Sequence, residues 1–163
     1  MLNPDGVYRG HYRVDTQGNN LNRFYISPSE INQPTIYAAK ELFLNLHNQK
    51  KLFFYCDLHS HAAKRGIFIF SNHASYRKQV ETSLFSRIMA MNHKHFDFYQ
   101  CNFKEGNRGK PGKSREGSGR VALFRASNMP HCYTLECNYY SGIKTNILYP
   151  DPLLPFEQQQ KAL

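Results

Sequence analysis

The chain has 163 residues, 40% of them hydrophobic, 20% charged and 14% aromatic, with 12 Phe, 11 Tyr and no Trp. That composition suits one packed domain and excludes a disordered or low-complexity chain. The formal net charge of +9 favours acidic partners, whether nucleic acid, anionic membrane or acidic polypeptide, without choosing among them.

Residues Asn3 to Ser29 are rich in Gly, Asn, Asp and Arg, and Pro4-Asp5-Gly6 is a turn signal, so this stretch reads as loop. From Pro34 to Asn48, Ile36, Ala39, Phe43 and Leu46 recur at helical spacing, with Pro34 in the first turn. Leu52 to Cys56 is a continuous apolar run ending at Asp57-Leu58-His59, which predicts a strand buried on both faces. Ile67 to Phe70 predicts a second strand. Tyr76 to Met91 predicts a helix with Val80, Leu84, Ile88 and Met91 on one face. Phe96 to Phe103 reads as a further short strand, Gly119 to Ser127 as a short helix, and His131 to Tyr140 as a third main strand.

Between them, Lys104 to Arg120 holds five Gly, one Pro and six basic residues against two acidic ones, and reads as a flexible basic loop. Residues 151–163 form a Pro/Gln-rich tail. The longest apolar stretches fall far short of the ~20 residues that cross a bilayer, so no membrane insertion is expected. Met1 runs directly into Asn-Pro-Asp-Gly with no charged-then-apolar leader. The four cysteines form no C-x-x-C pair and read as reduced thiols of a cytoplasmic protein.

Helices alternating with buried strands imply an α/β architecture, whose ligands gather at the carboxyl ends of the strands. Two polar clusters fall at such places: Asp57-Leu58-His59-Ser60-His61 and Thr134-Leu135-Glu136-Cys137-Asn138. His59 suits a metal ligand or a base, although a single histidine is more often a hydrogen-bonded structural one. Glu136 inside an apolar strand is either a general base or the partner of an Arg, because an unpaired buried carboxylate is costly. Arg13 and the Asn22-Arg23 pair supply guanidinium forks matched to carboxylates, against the commoner alternative of a solvated loop.

The order of these motifs carries more than any one of them. Asn3-Pro4-Asp5-Gly6, Gly10-His11-Tyr12-Arg13, Asn20-Leu21-Asn22-Arg23, Asp57-Leu58-His59-Ser60-His61 and Tyr133-Thr134-Leu135-Glu136 follow one another. Together they resemble the zinc metallocarboxypeptidases, and within them the cytosolic carboxypeptidases that trim glutamates from tubulin. Ser114-Arg115-Glu116-Gly117-Ser118-Gly119-Arg120 and Leu135-Glu136-Cys137-Asn138-Tyr139 look like the tubulin-deglutamylating branch.

The resemblance implies a three-layer α/β/α fold with a mixed, largely parallel central sheet. It makes residues 1–150 the C-terminal part of a catalytic domain whose N-terminal part is absent. It implies Zn2+ as cofactor with His59 as one ligand. Glu136 takes the role of general base and Arg13 that of oxyanion stabiliser. Asn22 and Arg23 take the role of grip on the substrate's terminal carboxylate. Lys110, Lys113, Arg115 and Arg120 then become basic contacts for an anionic substrate. The implied partners are polyglutamylated tubulin or other glutamate-rich protein tails, in the cytoplasm, with microtubule or cilium association. Nucleic-acid binding through the basic loop ranks a distant third, since no aromatic-interleaved basic platform supports it.

The family's remaining two zinc ligands come from a His-x-x-Glu motif before Asn-Pro-Asp-Gly, and here Asn3 is already the third residue. No histidine of the chain has Glu three positions on. The isolated chain is therefore expected to be inactive or barely active, with binding of acidic tails as the alternative to catalysis.

Overall fold

A computed structural model describes residues 1–104 and 114–148. The expected basic contacts Lys110 and Lys113 and the tail at 151–163 lie outside the described residues.

Three strands form the sheet: β1 (Tyr55–His61), β2 (Ile67–Phe70) and β3 (Cys132–Asn138), in the order β1-β3-β2. β1 and β3 run parallel, β2 and β3 antiparallel, so the sheet is mixed. Of the three, the last in sequence is thus the central one. Its two faces are covered by different helices. On one, α2 (Pro34–Asn48) and α4 (Gly119–Ser127) pack Ile36, Phe43, Leu123 and Phe124 around Tyr25, Cys132 and Met129. On the other, α3 (Tyr76–Asn92) sets Phe85, Met89 and Ala90 against Ile69, Tyr133 and Leu135. This is the three-layer α/β/α arrangement.

Both α2 and α4 take the bounds the sequence predicts. Pro34 opens α2, where a missing N–H costs nothing, and α4 stops at Asn128, which adopts the left-handed conformation (φ 57°) suited to a helix end.

Four expectations need correction. First, β1 starts at Tyr55, and the polar cluster lies inside the strand rather than after it. Pairing decides this: Tyr55 to His61 are matched one for one with Cys132 to Asn138, whereas among the described residues the apolar ones before Tyr55 have no strand to pair with. Phe53 stays 74% exposed and Leu58 75%, so β1 is not buried on both faces. Second, the apolar stripe of α3 points outward, with Val80, Leu84, Ile88 and Met91 about half exposed. Thr82, Ser86 and Ala90 face inward instead, because small side chains let the helix approach the sheet closely. Third, Phe96 to Phe103 is no strand. It makes single bridges to Ile67 and Phe70 around a 3-10 turn at Phe98–Gln100, where Asp97 accepts hydrogen bonds from the Tyr99 and Gln100 amides. Fourth, the N-terminal loop contains a short helix, α1 (Pro4–Tyr8), and a 3-10 turn at Leu21–Arg23. Asn3 pins this region by donating to the carbonyls of His11 and Val14, at 3.1 and 2.9 Å.

Candidate active site

Side chains alternate along a strand, so Asp57, His59 and His61 share one face of β1. Their register partners on β3 are Thr134, Glu136 and Asn138, and β2 adds Phe70 and Phe68 beside Thr134 and Glu136. The same face carries Tyr55 and Cys132 at its other end, where α2 and α4 cover it. Beyond that cover, towards the carboxyl ends of β1 and β3, the polar pairs come into reach of solvent.

His59 and Glu136 are opposite each other across this parallel pair. The His59 Nδ1 lies 3.5 Å from Glu136 Oε1, and its Nε2 lies 2.9 Å from Asp57 Oδ2. Glu136 is 7% exposed, so its carboxylate needs the partner that His59 provides. The hydrogen bond to Asp57, then that to Glu136, push the His59 imidazole up to about 9 despite opposition from burial.

Asn22 ties the N-terminal loop to this pair. Its Nδ2 is 3.0 Å from Asp57 Oδ2 and 3.1 Å from His59 Nε2, and its Oδ1 accepts from the Gly119 amide at 2.9 Å. The structure thus gives Asn22 a positioning contact beside the expected grip on substrate. Two glycines permit this approach. A Cβ on Gly117 would collide with the backbone of Arg23, and one on Gly119 with the hydroxyl of Tyr55. The Tyr25 amide also donates to the Gly117 carbonyl at 3.0 Å. The Ser-Arg-Glu-Gly-Ser-Gly segment is thereby clamped against the Asn22-Arg23 turn.

Arg13, Arg23 and Arg115 are all exposed and share one electrostatic neighbourhood. Partial burial, then the charges of Arg13 and Arg115, lower the Arg23 pKa. Arg120 is placed differently. It is 3% exposed, with its guanidinium donating to the Ser71 carbonyl and to Asn72 Oδ1 (2.7 Å for the latter). Burial thus sets Arg120 apart from the exposed Arg13, Arg23 and Arg115. His61 is committed locally, its Nδ1 accepting from the Ala63 and Lys64 amides at 3.2 and 3.0 Å.

Asp57 belongs to the Asp-Leu-His-Ser-His motif, and its role beside His59 comes from the fold. The signal for it was available: two residues before His59 on a strand means the same face. The Asn22 contact was not legible, because it joins residues that only the tertiary fold brings together.

Comparison with known proteins decides the kinship. No protein-family model matches the chain. It is 33% identical to cytosolic carboxypeptidase-like protein 5 of Mus musculus, in an alignment covering 90% of this chain and 27% of that protein. It is 33% identical to cytosolic carboxypeptidase 6 of Mus musculus, covering 88% of this chain and 26% of that protein. The chain is a homologue of the cytosolic carboxypeptidases. It spans about a quarter of the length of these relatives. Among solved structures, the metallo-carboxypeptidase from Burkholderia cenocepacia superposes with a TM-score of 0.61 at 19% identity, over 92% of this chain and 36% of that one. The metallo-carboxypeptidase from Pseudomonas aeruginosa gives 0.59 at 17% identity, over 84% and 35%. These likenesses establish the carboxypeptidase-like α/β fold.

A metallocarboxypeptidase implies a metal, usually zinc, and a catalytic zinc takes three protein ligands plus an open position. Among the described residues of this cytosolic carboxypeptidase homologue, no group of three His, Cys, Asp or Glu is placed to hold a metal ion. His59 offers one imidazole, with Asp57 on its other nitrogen in the way that orients ligating histidines. The described residues therefore fit a fraction of a zinc site and not a whole one.

Proposed function

We propose that this chain carries the proton-handling and carboxylate-gripping part of a zinc carboxypeptidase that removes C-terminal or branch glutamates from acidic protein tails, such as those of tubulin. The observation that carries the reading is the in-register pair His59 and Glu136, braced by Asp57 and Asn22. In this reading Glu136 takes a proton from the attacking water and passes it to the leaving amine. Arg13 meets the negative charge that develops on the scissile carbonyl. Arg23 holds the terminal carboxylate, which confines cleavage to chain ends. Arg115, exposed next to Arg23, adds to the field that draws acidic tails. The names of the relatives support a cytoplasmic setting.

A second reading has a specific observation in its favour. With one candidate imidazole ligand among the described residues, the chain by itself is a binder of glutamate-rich tails that does not turn them over. One experiment separates the two. The chain is mixed with a glutamate-tailed peptide and zinc, and both peptide binding and free glutamate are measured against Glu136→Gln. The expected result is Arg23-dependent binding without release. Glutamate release above the Glu136→Gln background establishes catalysis by this chain alone. Absence of binding refutes both readings.

A further inference from the structure

Lys64 is exposed, beside the carboxyl end of β1 where the polar pairs meet solvent. It lies in the connection from β1 to β2. Its backbone is fixed at both groups: the amide donates to His61 Nδ1 at 3.0 Å and the carbonyl accepts from Asn138 Nδ2 at 2.7 Å. Its Nζ lies 4.7 Å from the centre of the Phe68 ring and 5.9 Å from that of Phe70. Phe68 is fully buried and is the register partner of Glu136. The ammonium is therefore held on the Glu136 side of the sheet by two ring faces, a contact that restrains a lysine while leaving its donors unpaired with acid. From the other direction, the Arg115 guanidinium lies 5.4 Å from the same Phe70 ring. Phe70 thus carries a cation from each of two loops.

This extends the cationic neighbourhood already described. Arg115 opposes the charge of Arg23, as does Arg13. Among the described residues, no carboxylate forms an ion pair with Arg13, Arg23, Arg115 or Lys64. Arg13 and Arg115 repel Arg23, and Lys64 shares the Phe70 ring with Arg115, so cation follows cation along this rim with no acid partner among the described residues to offset the charge. A ligand bearing several carboxylates relieves the repulsion at several points. A ligand with one carboxylate relieves it at one.

We propose that Lys64, seated on Phe68 and Phe70, is a specificity-determining residue that binds a carboxylate beyond the one held by Arg23, so that the site selects ends carrying consecutive acidic residues. The proposal rests on the reading of Arg23 as the terminal-carboxylate grip, and it names the substrate feature that grip alone would not select.

The test is fluorescence anisotropy on the full chain with two labelled peptides, one ending in a single glutamate and one in four. Three variants are compared: Lys64→Gln, Arg23→Gln, and Lys51→Gln, which removes an equal charge from an exposed position before β1, at the end of that strand away from the open face. Melting curves confirm that each is folded. Lys64→Gln is expected to weaken the four-glutamate peptide about fivefold and the single-glutamate peptide less than about twofold. Arg23→Gln is expected to weaken both, and Lys51→Gln neither. If Lys64→Gln behaves like Lys51→Gln while Arg23→Gln weakens both peptides, the proposal is overturned and the reading of Arg23 stands. Equal weakening of both peptides by Lys64→Gln also overturns it. If the unmodified chain binds neither peptide, the reading of Arg23 falls and the proposal with it.

Discussion

Replacing Asp57 by Asn tests the electrostatic heart of the site. The change keeps the shape of the side chain but removes the charge that faces His59 Nε2 at 2.9 Å. In the metal-free chain His59 is raised to about 9, first by Asp57 and then by Glu136. A histidine raised in this way stabilises the fold fully below its unfolded value of about 6.5. It loses that contribution as pH rises through 9. The gap is worth about 3 kcal/mol if fully expressed. The imidazole is 35% exposed, and solvent screening reduces the figure to about 1–2 kcal/mol. For a chain of this length that is a fall in Tm of about 3–6 °C between pH 6.5 and 9. The assay is an NMR titration of the His59 ring protons in chelator, paired with thermal melts across the same range. Asp57→Asn is expected to bring the His59 pKa most of the way back to 6.5 and to flatten the melting profile. Glu136→Gln is expected to lower it by less. A His59 pKa unchanged by Asp57→Asn would refute the reasoning, because the geometry offers no other group to hold the proton at Nε2.

Gly117→Ala is expected to cost about 1–3 kcal/mol in denaturant melts, since the new methyl meets fixed backbone at Arg23 rather than a side chain that can turn aside. The same variant is expected to weaken acidic-peptide binding by displacing Arg23. Cys132 is fully buried and pushed up to about 12 by that burial, and Cys101 is pushed up to about 11 likewise. Both are expected to resist iodoacetamide at pH 8 until the chain is unfolded, and rapid labelling of native Cys132 in a mass-spectrometric time course would contradict its placement. On α3, Leu84→Ala is expected to change stability by no more than about 0.5 kcal/mol, while Ala90→Leu costs about 1–3 kcal/mol. The reverse ranking would restore the apolar stripe to the core.

Local chemistry explains what could be read beforehand. Pro34 and the recurrence of Ile36 and Phe43 locate α2, and the glycine before Arg120 and the Asn128 stop frame α4. The motif order singles out His59 and Glu136, and the fold sets them side by side. Errors arose where pairing or packing overrode composition. The run from Leu52 to Cys56 looks like the strand, yet β3 pairs with the polar residues after it. The stripe on α3 looks like core, yet close approach to the sheet favours Thr82, Ser86 and Ala90. The bonds of buried Arg120 to Ser71 and Asn72 are equally out of reach of the local sequence. Each of these outcomes depends on partners distant in sequence, which no local window contains.

The strand order β1-β3-β2 also sets the timetable by which the site comes into being. β1 and β2 follow each other in the chain but do not pair; both wait for β3. The bond from Asn138 to the His61 carbonyl joins residues 77 positions apart. Closing so long a loop before any contact rewards it makes sheet formation slow. Until β3 is in place, His59 and Asp57 lack their β3 partners and have no Glu136 beside them. The pairing of the three described strands and the site then appear in the same step, and losing β3 removes both together.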